Sequence, residues 1–175
     1  MNNTKTDDNQ LDENKTQENE INNTKVLDKK KVLIVDDEDD ARELFVELLS
    51  TVPEYEVFDA KDGTEALKLS EENKFDLILL DIIMPNKDGV DTLSDLKSDK
   101  VKYGNPKIIM LTNIGGDVAI EKAIELGAMG YLLKIDTEPE GLLKAVADAL
   151  LKSDTKDNQI LNNIPGENMS RADRV

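Results

Sequence analysis

The sequence contains no cysteine and no histidine among its 175 residues. The chain therefore cannot form disulfides or cysteine and histidine zinc sites, and it has no thiol nucleophile or histidine general base. Any chemistry must depend on carboxylates, hydroxyls and lysines. Basic residues are also scarce, with 22 Lys and Arg against 38 Asp and Glu, which gives a formal net charge of −16. Because this charge repels a phosphate backbone, we expect no direct binding to nucleic acid.

Long apolar runs are absent as well. No stretch has the roughly 20 apolar residues that a membrane helix requires, and the first residues lack the apolar segment of a signal peptide. We therefore expect a cytoplasmic protein with no membrane contact. Polar segments at residues 1–28 and 153–175 predict two disordered tails around a single domain at 29–152. The second tail is too short for a DNA-binding output domain, so none is expected.

Within the predicted domain, short apolar runs alternate with stretches of helical periodicity. The runs at 32–35, 77–80 and 108–111 are continuous, which is typical of strands covered on both faces. Two shorter strands are predicted at 55–60 and 130–133. An amphipathic stripe follows each strand, which indicates five helices. This order predicts an α/β fold, with a doubly wound five-stranded parallel sheet and helices on both of its faces.

Polar residues stand where the predicted strands end. They are Asp36 and Asp37 after the first strand, Asp81 after the third, Thr112 at the end of the fourth and Lys134 after the fifth. Ligands of such sheets bind beyond the carboxyl ends of the strands, so these side chains should converge, although any one Asp alone is more typical of a helix cap. Crowded carboxylates repel one another unless a cation neutralises them, and hard oxygen donors suit Mg²⁺. An oxygen of Asp81 would then attack a phosphoryl group held by Mg²⁺, Lys134 and Thr112, giving an acyl phosphate.

Four motifs make the segment from about Lys31 to Lys152 resemble the receiver domain of bacterial response regulators. They are VLIVDD at 32–37, LILLDIIMPNKDG at 77–89, IIMLT at 108–112 and GAMGYLLK at 127–134. The resemblance implies a flavodoxin-like fold with strand order 2-1-3-4-5. It also implies a phosphorylation-activated switch in a two-component system rather than an enzyme.

The resemblance assigns roles to the acidic residues. Asp81 is the implied phosphoacceptor. Asp37 and Asp81 are implied to be direct Mg²⁺ ligands together with the backbone carbonyl of Ile83, and Asp36 an outer-sphere partner of the metal. Glu38 to Asp40 are explained by a solvated helix start, where acidic side chains favour the helix dipole.

The resemblance also implies how the switch operates. Lys134 would pair with the phosphoryl group, Thr112 would swing in to bond it, and Tyr131 would turn inward as Thr112 moves. The surface of the fourth helix, fifth strand and fifth helix would then change its affinity for a partner. From the sequence alone, a half-buried strand aromatic is the better explanation of Tyr131.

The partners are only partly defined by the sequence. Because the chain has no His, the phosphoryl group must come from a separate sensor histidine kinase, a phosphotransfer protein or a small acyl phosphate. The downstream protein is unknown. Binding of another protein, onward phosphotransfer and a homodimer through the last helical face all remain open.

Several positions depart from the family pattern. Ile135 stands where the family usually has a proline in a cis peptide, and we expect a trans bond, since cis before Ile costs about 3 to 4 kcal/mol. Asn113 replaces a small residue and should narrow access to Asp81. Ile83 and Ile114 should hinder the approach of water to the phosphoryl group, which predicts a long-lived acyl phosphate.

Two rival functions share this type of sheet. One is a receiver-like binding module that acts without phosphorylation, which the intact set of strand-end residues disfavours. The other is a Mg²⁺-dependent aspartyl-phosphate phosphatase. It is disfavoured because Asp81, Ile82 and Ile83 lack the second acid of that family's nucleophile motif, and no cap domain is visible.

Overall fold

The computed structural model describes residues 28–113, 118–135 and 138–152. The predicted disordered tails therefore lie outside the described residues, apart from Asp28, and so does Ile114. None of the helices in these ranges combines the length and the apolar composition that a membrane crossing needs.

Strands and helices alternate along the described residues, and the predicted elements are all present. The strands are β1 (Lys30–Val35), β2 (Tyr55–Ala60), β3 (Leu77–Asp81), β4 (Lys107–Thr112) and β5 (Gly130–Leu133). The helices are α1 (Asp39–Ser50), α2 (Gly63–Glu72), α3 (Gly89–Ser98), α4 (Lys100–Tyr103), α5 (Val118–Glu125) and α6 (Pro139–Leu151). The single turn α4 was not predicted, so the fourth and fifth helices of the sequence analysis correspond to α5 and α6.

The five strands form one parallel sheet in the order β2-β1-β3-β4-β5. The predicted doubly wound fold and its strand order are therefore confirmed. Val35 at the end of β1 pairs with Leu80, so Asp36 follows at the level of Asp81 on β3. Thr112 at the end of β4 pairs with Leu133, so Lys134 follows at the same edge.

Two apolar cores cover the two faces of the sheet because successive side chains of a strand point in opposite directions. One core contains Leu33, Ile78 and Met110 together with apolar residues of α2, α3 and α5. The other contains Val32 and Ile109 together with apolar residues of α1 and α6. The middle positions of the central strands are thus continuously apolar because helices cover both of their faces.

The loop between β3 and α3 folds back against the end of β3. The N–H of Gly89 donates to the Ile82 carbonyl over 2.9 Å. A Cβ atom on Gly89 would lie 1.9 Å from the Asp81 carbonyl oxygen, which is far inside contact distance. Glycine at position 89 therefore allows α3 to begin directly beside the backbone of Asp81.

Asp62 ties this loop to the start of α2. Its Oδ1 accepts a hydrogen bond from the Glu65 N–H at 2.9 Å, which caps the helix, and its Oδ2 accepts one from Asn86 Nδ2 at 3.0 Å. Asn86 has a φ of 63°, a left-handed conformation that asparagine adopts more readily than most residues. One carboxylate thus fixes both a helix start and the turn that carries the β3–α3 loop.

We expect Asp62→Ala to lower the free energy of unfolding by about 1 to 2 kcal/mol at pH 7, because it removes the cap of α2 and the partner of Asn86. The hydrogen bond from the Glu65 N–H lowers the pKa of Asp62. This stabilisation is therefore present above the unfolded-state pKa of about 3.9 and is lost as the pH falls through the lower folded-state pKa.

Urea unfolding followed by circular dichroism measures both effects, with Lys68→Ala on the exposed face of α2 as the control. The control should change stability by less than about 0.5 kcal/mol. An Asp62→Ala penalty that persists undiminished below the folded-state pKa would contradict the role of the carboxylate.

Candidate functional site

The strand-end residues converge at one edge of the sheet, as predicted. Asp36 is completely buried, and Asp81 and Thr112 are each only 4% exposed. The Lys134 N–H donates to the Thr112 carbonyl at 2.8 Å, which continues the pairing of β4 and β5 by one residue. Four strands therefore deliver these four residues to one small region.

Lys134 is the centre of this region. Its Nζ lies 2.8 Å from Asp36 Oδ2 and 2.8 Å from Asp81 Oδ2, and its side chain is 6% exposed. The peptide bond before Ile135 is trans, as predicted. Replacement of the family's proline by Ile135 therefore does not move the lysine out of reach of the two carboxylates.

The buried charges shift the titration of Lys134 and Asp81. Burial alone would lower the pKa of Lys134, but its contacts with the carboxylates of Asp36 and Asp81 outweigh that effect and raise it. The pKa of Asp81 is raised, mainly by burial, while Lys134 opposes the increase and Asp36 adds to it. The two carboxylates thus favour the charged form of Lys134, whereas burial works against the charged form of Asp81.

Three carboxylates form a group that could hold a metal ion, and we call Asp36, Glu38 and Asp81 the acidic pocket. One oxygen from each lies within 4.8 Å of the others. Asp36 Oδ1 accepts from the Glu38 N–H at 3.0 Å. Asp36 Oδ2 has the ion-pair contact with Lys134 but no donor aligned for a hydrogen bond. A buried oxygen with spare lone pairs, in a set of three carboxylates against one ammonium, fits a divalent cation.

The acidic pocket differs from the metal set that the resemblance implied. Asp37 is exposed and is not a member of the group. Ile83 meets Asp81 through its N–H, which lies 3.4 Å from Asp81 Oδ1, while its side chain is 70% exposed. The ligand roles of Asp37 and of the Ile83 carbonyl therefore remain predictions.

Glu38 is the site residue that the sequence analysis missed. It precedes the first turn of α1, as predicted for a helix start, but its side chain makes no capping hydrogen bond. Its Oε1 instead lies 3.3 Å from Asn113 Nδ2 and 3.4 Å from Lys134 Nζ. Asn113 therefore contacts the acidic pocket through Glu38.

The sequence analysis also missed Arg42, which contacts the backbone beneath the acidic pocket where the chain leaves β1. Its Nη1 donates to the backbone carbonyl of Asp36 at 2.8 Å, and its Nε donates to Asp59 on β2 at 3.2 Å. It also pairs with Asp39 in the first turn of α1. These contacts fix the path of the chain where it leaves β1, and with it the position of the Asp36 carboxylate.

The remaining predicted residues lie around the pocket. Tyr131 is half-buried and packs against the core that contains Met110, which agrees with an ordinary strand aromatic. Ile135 is 77% exposed beside Lys134. The switch movements of Thr112 and Tyr131 remain predictions.

Comparisons with known proteins agree with this fold. The family model for the response regulator receiver domain matches residues 32–147. A chemotaxis protein CheY of Halobacterium salinarum is 37% identical over 122 residues, which cover 69% of this chain and 97% of the relative. A crystallised chemotaxis protein CheY4 of Vibrio cholerae is similar with a TM-score of 0.63 at 32% identity, covering 69% of this chain and 98% of that one.

Longer relatives match over part of their length. The nitrate/nitrite response regulator protein NarL of Escherichia coli is 39% identical over 119 residues, which cover 67% of this chain and 53% of the relative. This chain therefore spans about half the length of that regulator.

We expect Lys134→Met to lower the free energy of unfolding by about 3 to 5 kcal/mol in the presence of a chelator, because Asp36 and Asp81 then remain buried without a cation. Asp81→Asn in the same chain should recover much of this loss, since it removes one of the two repelling charges. Urea unfolding measures each variant.

Lys68→Met, at an exposed position, is the matched control and should be nearly neutral. If Lys134→Met costs no more than this control, the ammonium does not balance the buried carboxylates.

Proposed function

Because this chain belongs to the response regulator receiver family, we propose that it is a phosphorylation-activated signalling switch with Asp81 as its phosphoacceptor. Receiver domains are signalling switches of two-component systems and generally not enzymes. One observation carries the assignment to Asp81. Its carboxylate ends the central strand β3 and contacts the buried Lys134 at 2.8 Å inside the acidic pocket.

Receiver domains generally bind Mg²⁺ at an acidic pocket. We propose that Asp36 and Asp81, which the structure brings together, hold Mg²⁺ here. The resemblance implied Asp36 only as an outer-sphere partner, and Asp37 and the Ile83 carbonyl, its implied direct ligands, stay part of the proposal. The spare lone pairs of Asp36 Oδ2 support this assignment. When bound, Mg²⁺ supplies positive charge against the oxygens of a phosphoryl group.

The proposed transfer uses Asp81 as the nucleophile. One carboxylate oxygen forms a bond to phosphorus while the bond between phosphorus and the donor's leaving atom breaks, and the leaving group departs with that electron pair. Lys134 is close enough to Asp81 to neutralise charge on the transferred group. The Thr112 hydroxyl, at the end of β4, would donate to it after transfer.

The output of the switch is a change of surface. Movement of Thr112 toward the phosphoryl group would allow Tyr131 to turn further inward, since both belong to neighbouring strands at the edge of the sheet. The face formed by α5, β5 and α6 would then bind a downstream protein with a different affinity. A homodimer through α6 is one form that this binding could take.

The donor in this proposal is a sensor histidine kinase, a phosphotransfer protein or a small acyl phosphate, and the exchange takes place in the cytoplasm. The chain carries no histidine that could form the phosphohistidine donor itself. We retain the predicted division into a receiver domain at 29–152 with polar tails on either side.

We expect the protein to gain one phosphoryl group when it is incubated with acetyl phosphate and Mg²⁺, and to gain none in a chelator. Asp81→Asn should abolish the gain because it removes the nucleophile. Asp88→Asn, in the same loop, should leave it intact, since asparagine also caps helices. Intact-mass spectrometry measures all four samples.

If the native protein gains no phosphoryl group and also does not bind a beryllofluoride mimic, the proposal is wrong. The chain would then be a receiver-like binding module that acts without phosphorylation.

We also expect a long-lived acyl phosphate, because the bulky side chain of Ile83 follows Asp81 by two residues and its N–H lies 3.4 Å from Asp81 Oδ1. Ile83→Asn should accelerate hydrolysis about fivefold, as one hydrogen bond of about 1 kcal/mol to an attacking water would. Mass spectrometry after removal of the donor gives the rate.

Val101→Asn is the control, since Val101 is 91% exposed and lies on α4, outside the site. Rapid loss of the phosphoryl group in the native protein, with no faster loss in Ile83→Asn, would exclude this role for Ile83.

A further inference from the structure

Glu38 makes contacts that neither the helix start nor the proposed transfer explains. Its side chain is 58% exposed, yet its Oε1 faces Lys134 and Asn113 instead of the free N–H groups of α1. A glutamate at such a position would ordinarily extend into water, where the entropy of its side chain is retained. The orientation of Glu38 into the pocket therefore costs side-chain entropy that another interaction must offset.

The contacts that Glu38 makes are longer than those of its neighbours. Lys134 lies 3.4 Å from Glu38 Oε1 but 2.8 Å from the nearest oxygens of Asp36 and Asp81. Asn113 also contacts it at a long distance, 3.3 Å. Long contacts of a partly exposed carboxylate contribute little to stability, so Glu38 can exchange them for a stronger partner at small cost.

The geometry of the acidic pocket suits a shared cation. Oxygens that bind one divalent cation at about 2.0 to 2.6 Å lie within about 5 Å of one another, as the three pocket oxygens do at 4.8 Å. A second, independent observation is the Asp36 Oδ2 atom. This oxygen is fully buried and is ion-paired with Lys134 Nζ at 2.8 Å, but it accepts no aligned hydrogen bond and so keeps lone pairs for a cation.

We propose that Glu38 is a third carboxylate ligand of the divalent cation, at a position that the sequence analysis explained as a solvated helix start. This inference rests on the cation pocket of the proposed function. Glu38 gives up its long contacts with Lys134 and Asn113 when the cation binds. Mg²⁺ is usually held by one or two carboxylates, so a third should increase affinity and widen the range of cations toward Mn²⁺.

The test measures Mn²⁺ binding by isothermal titration calorimetry on the full chain. Glu38→Gln keeps the length and the hydrogen-bonding oxygen of the side chain but removes its charge. Asp40→Asn is the matched control, because it removes the same charge from an exposed residue in the first turn of α1, outside the pocket. Unfolding curves of both variants verify that they are folded.

We expect Glu38→Gln to weaken Mn²⁺ binding about five- to tenfold and Asp40→Asn to weaken it less than about twofold. Equal effects of the two variants would overturn the assignment, because a distant charge would then explain both. A loss with Asp37→Asn and none with Glu38→Gln would overturn it as well. Failure of the native chain to bind Mn²⁺ would instead remove the cation pocket on which the proposed function depends.

Discussion

Two carboxylates with almost no access to water lie against a single ammonium at the carboxyl edge of the sheet, and this balance constrains the rest of the structure. A buried carboxylate is costly unless it is paired, and a second one beside it adds repulsion. Lys134 lies within 2.8 Å of both Asp36 and Asp81 and offsets part of that cost. Its position in turn requires β5 to extend beside β4, since its backbone is held by Thr112.

Contacts made by Arg42 and Asp62 hold the backbone segments that carry the two buried carboxylates. Arg42 holds the main chain of Asp36 from the side of α1, and Asp62 holds the β3–α3 loop from the side of α2. Each support joins two elements that are separate along the chain. The shortest contacts of the pocket therefore lie at its base, between Lys134 and the buried carboxylates. The contacts that Glu38 makes at the mouth with Asn113 and Lys134 are longer.

Much of this arrangement could be predicted from the sequence because it follows from burial. Strands covered on both faces are continuously apolar along their middle positions, so the apolar runs predicted the strands. The polar residues at the ends of these runs, Asp36, Asp81, Thr112 and Lys134, predicted the site. The helix α4 could not be predicted in the same way. It is a single turn whose cap, Asp99, resembles any loop aspartate.

Glu38 and Arg42 escaped prediction for a different reason. Their roles depend on the directions that long, flexible side chains take from the start of α1, and periodicity does not specify those directions. Arg42 also meets Asp59, which lies on β2 and is distant along the chain. Asp37 is the opposite case, a residue that the sequence suggested for the site. Although it follows Asp36 directly, its carboxylate does not belong to the group of pocket oxygens.

The packing of Gly89 against the Asp81 carbonyl limits how the structure can respond to a change at Asp81. The carbonyl of Asp81 lies directly against the backbone of Gly89, the first residue of α3. If a bulky, charged group is added to the Asp81 side chain, a shift of β3 toward α3 is therefore disfavoured. The displacement must be taken up on the solvent side, by the side chains and loops at the mouth of the pocket. A group added to Asp81 would in this way change the protein surface more than the packing of its core.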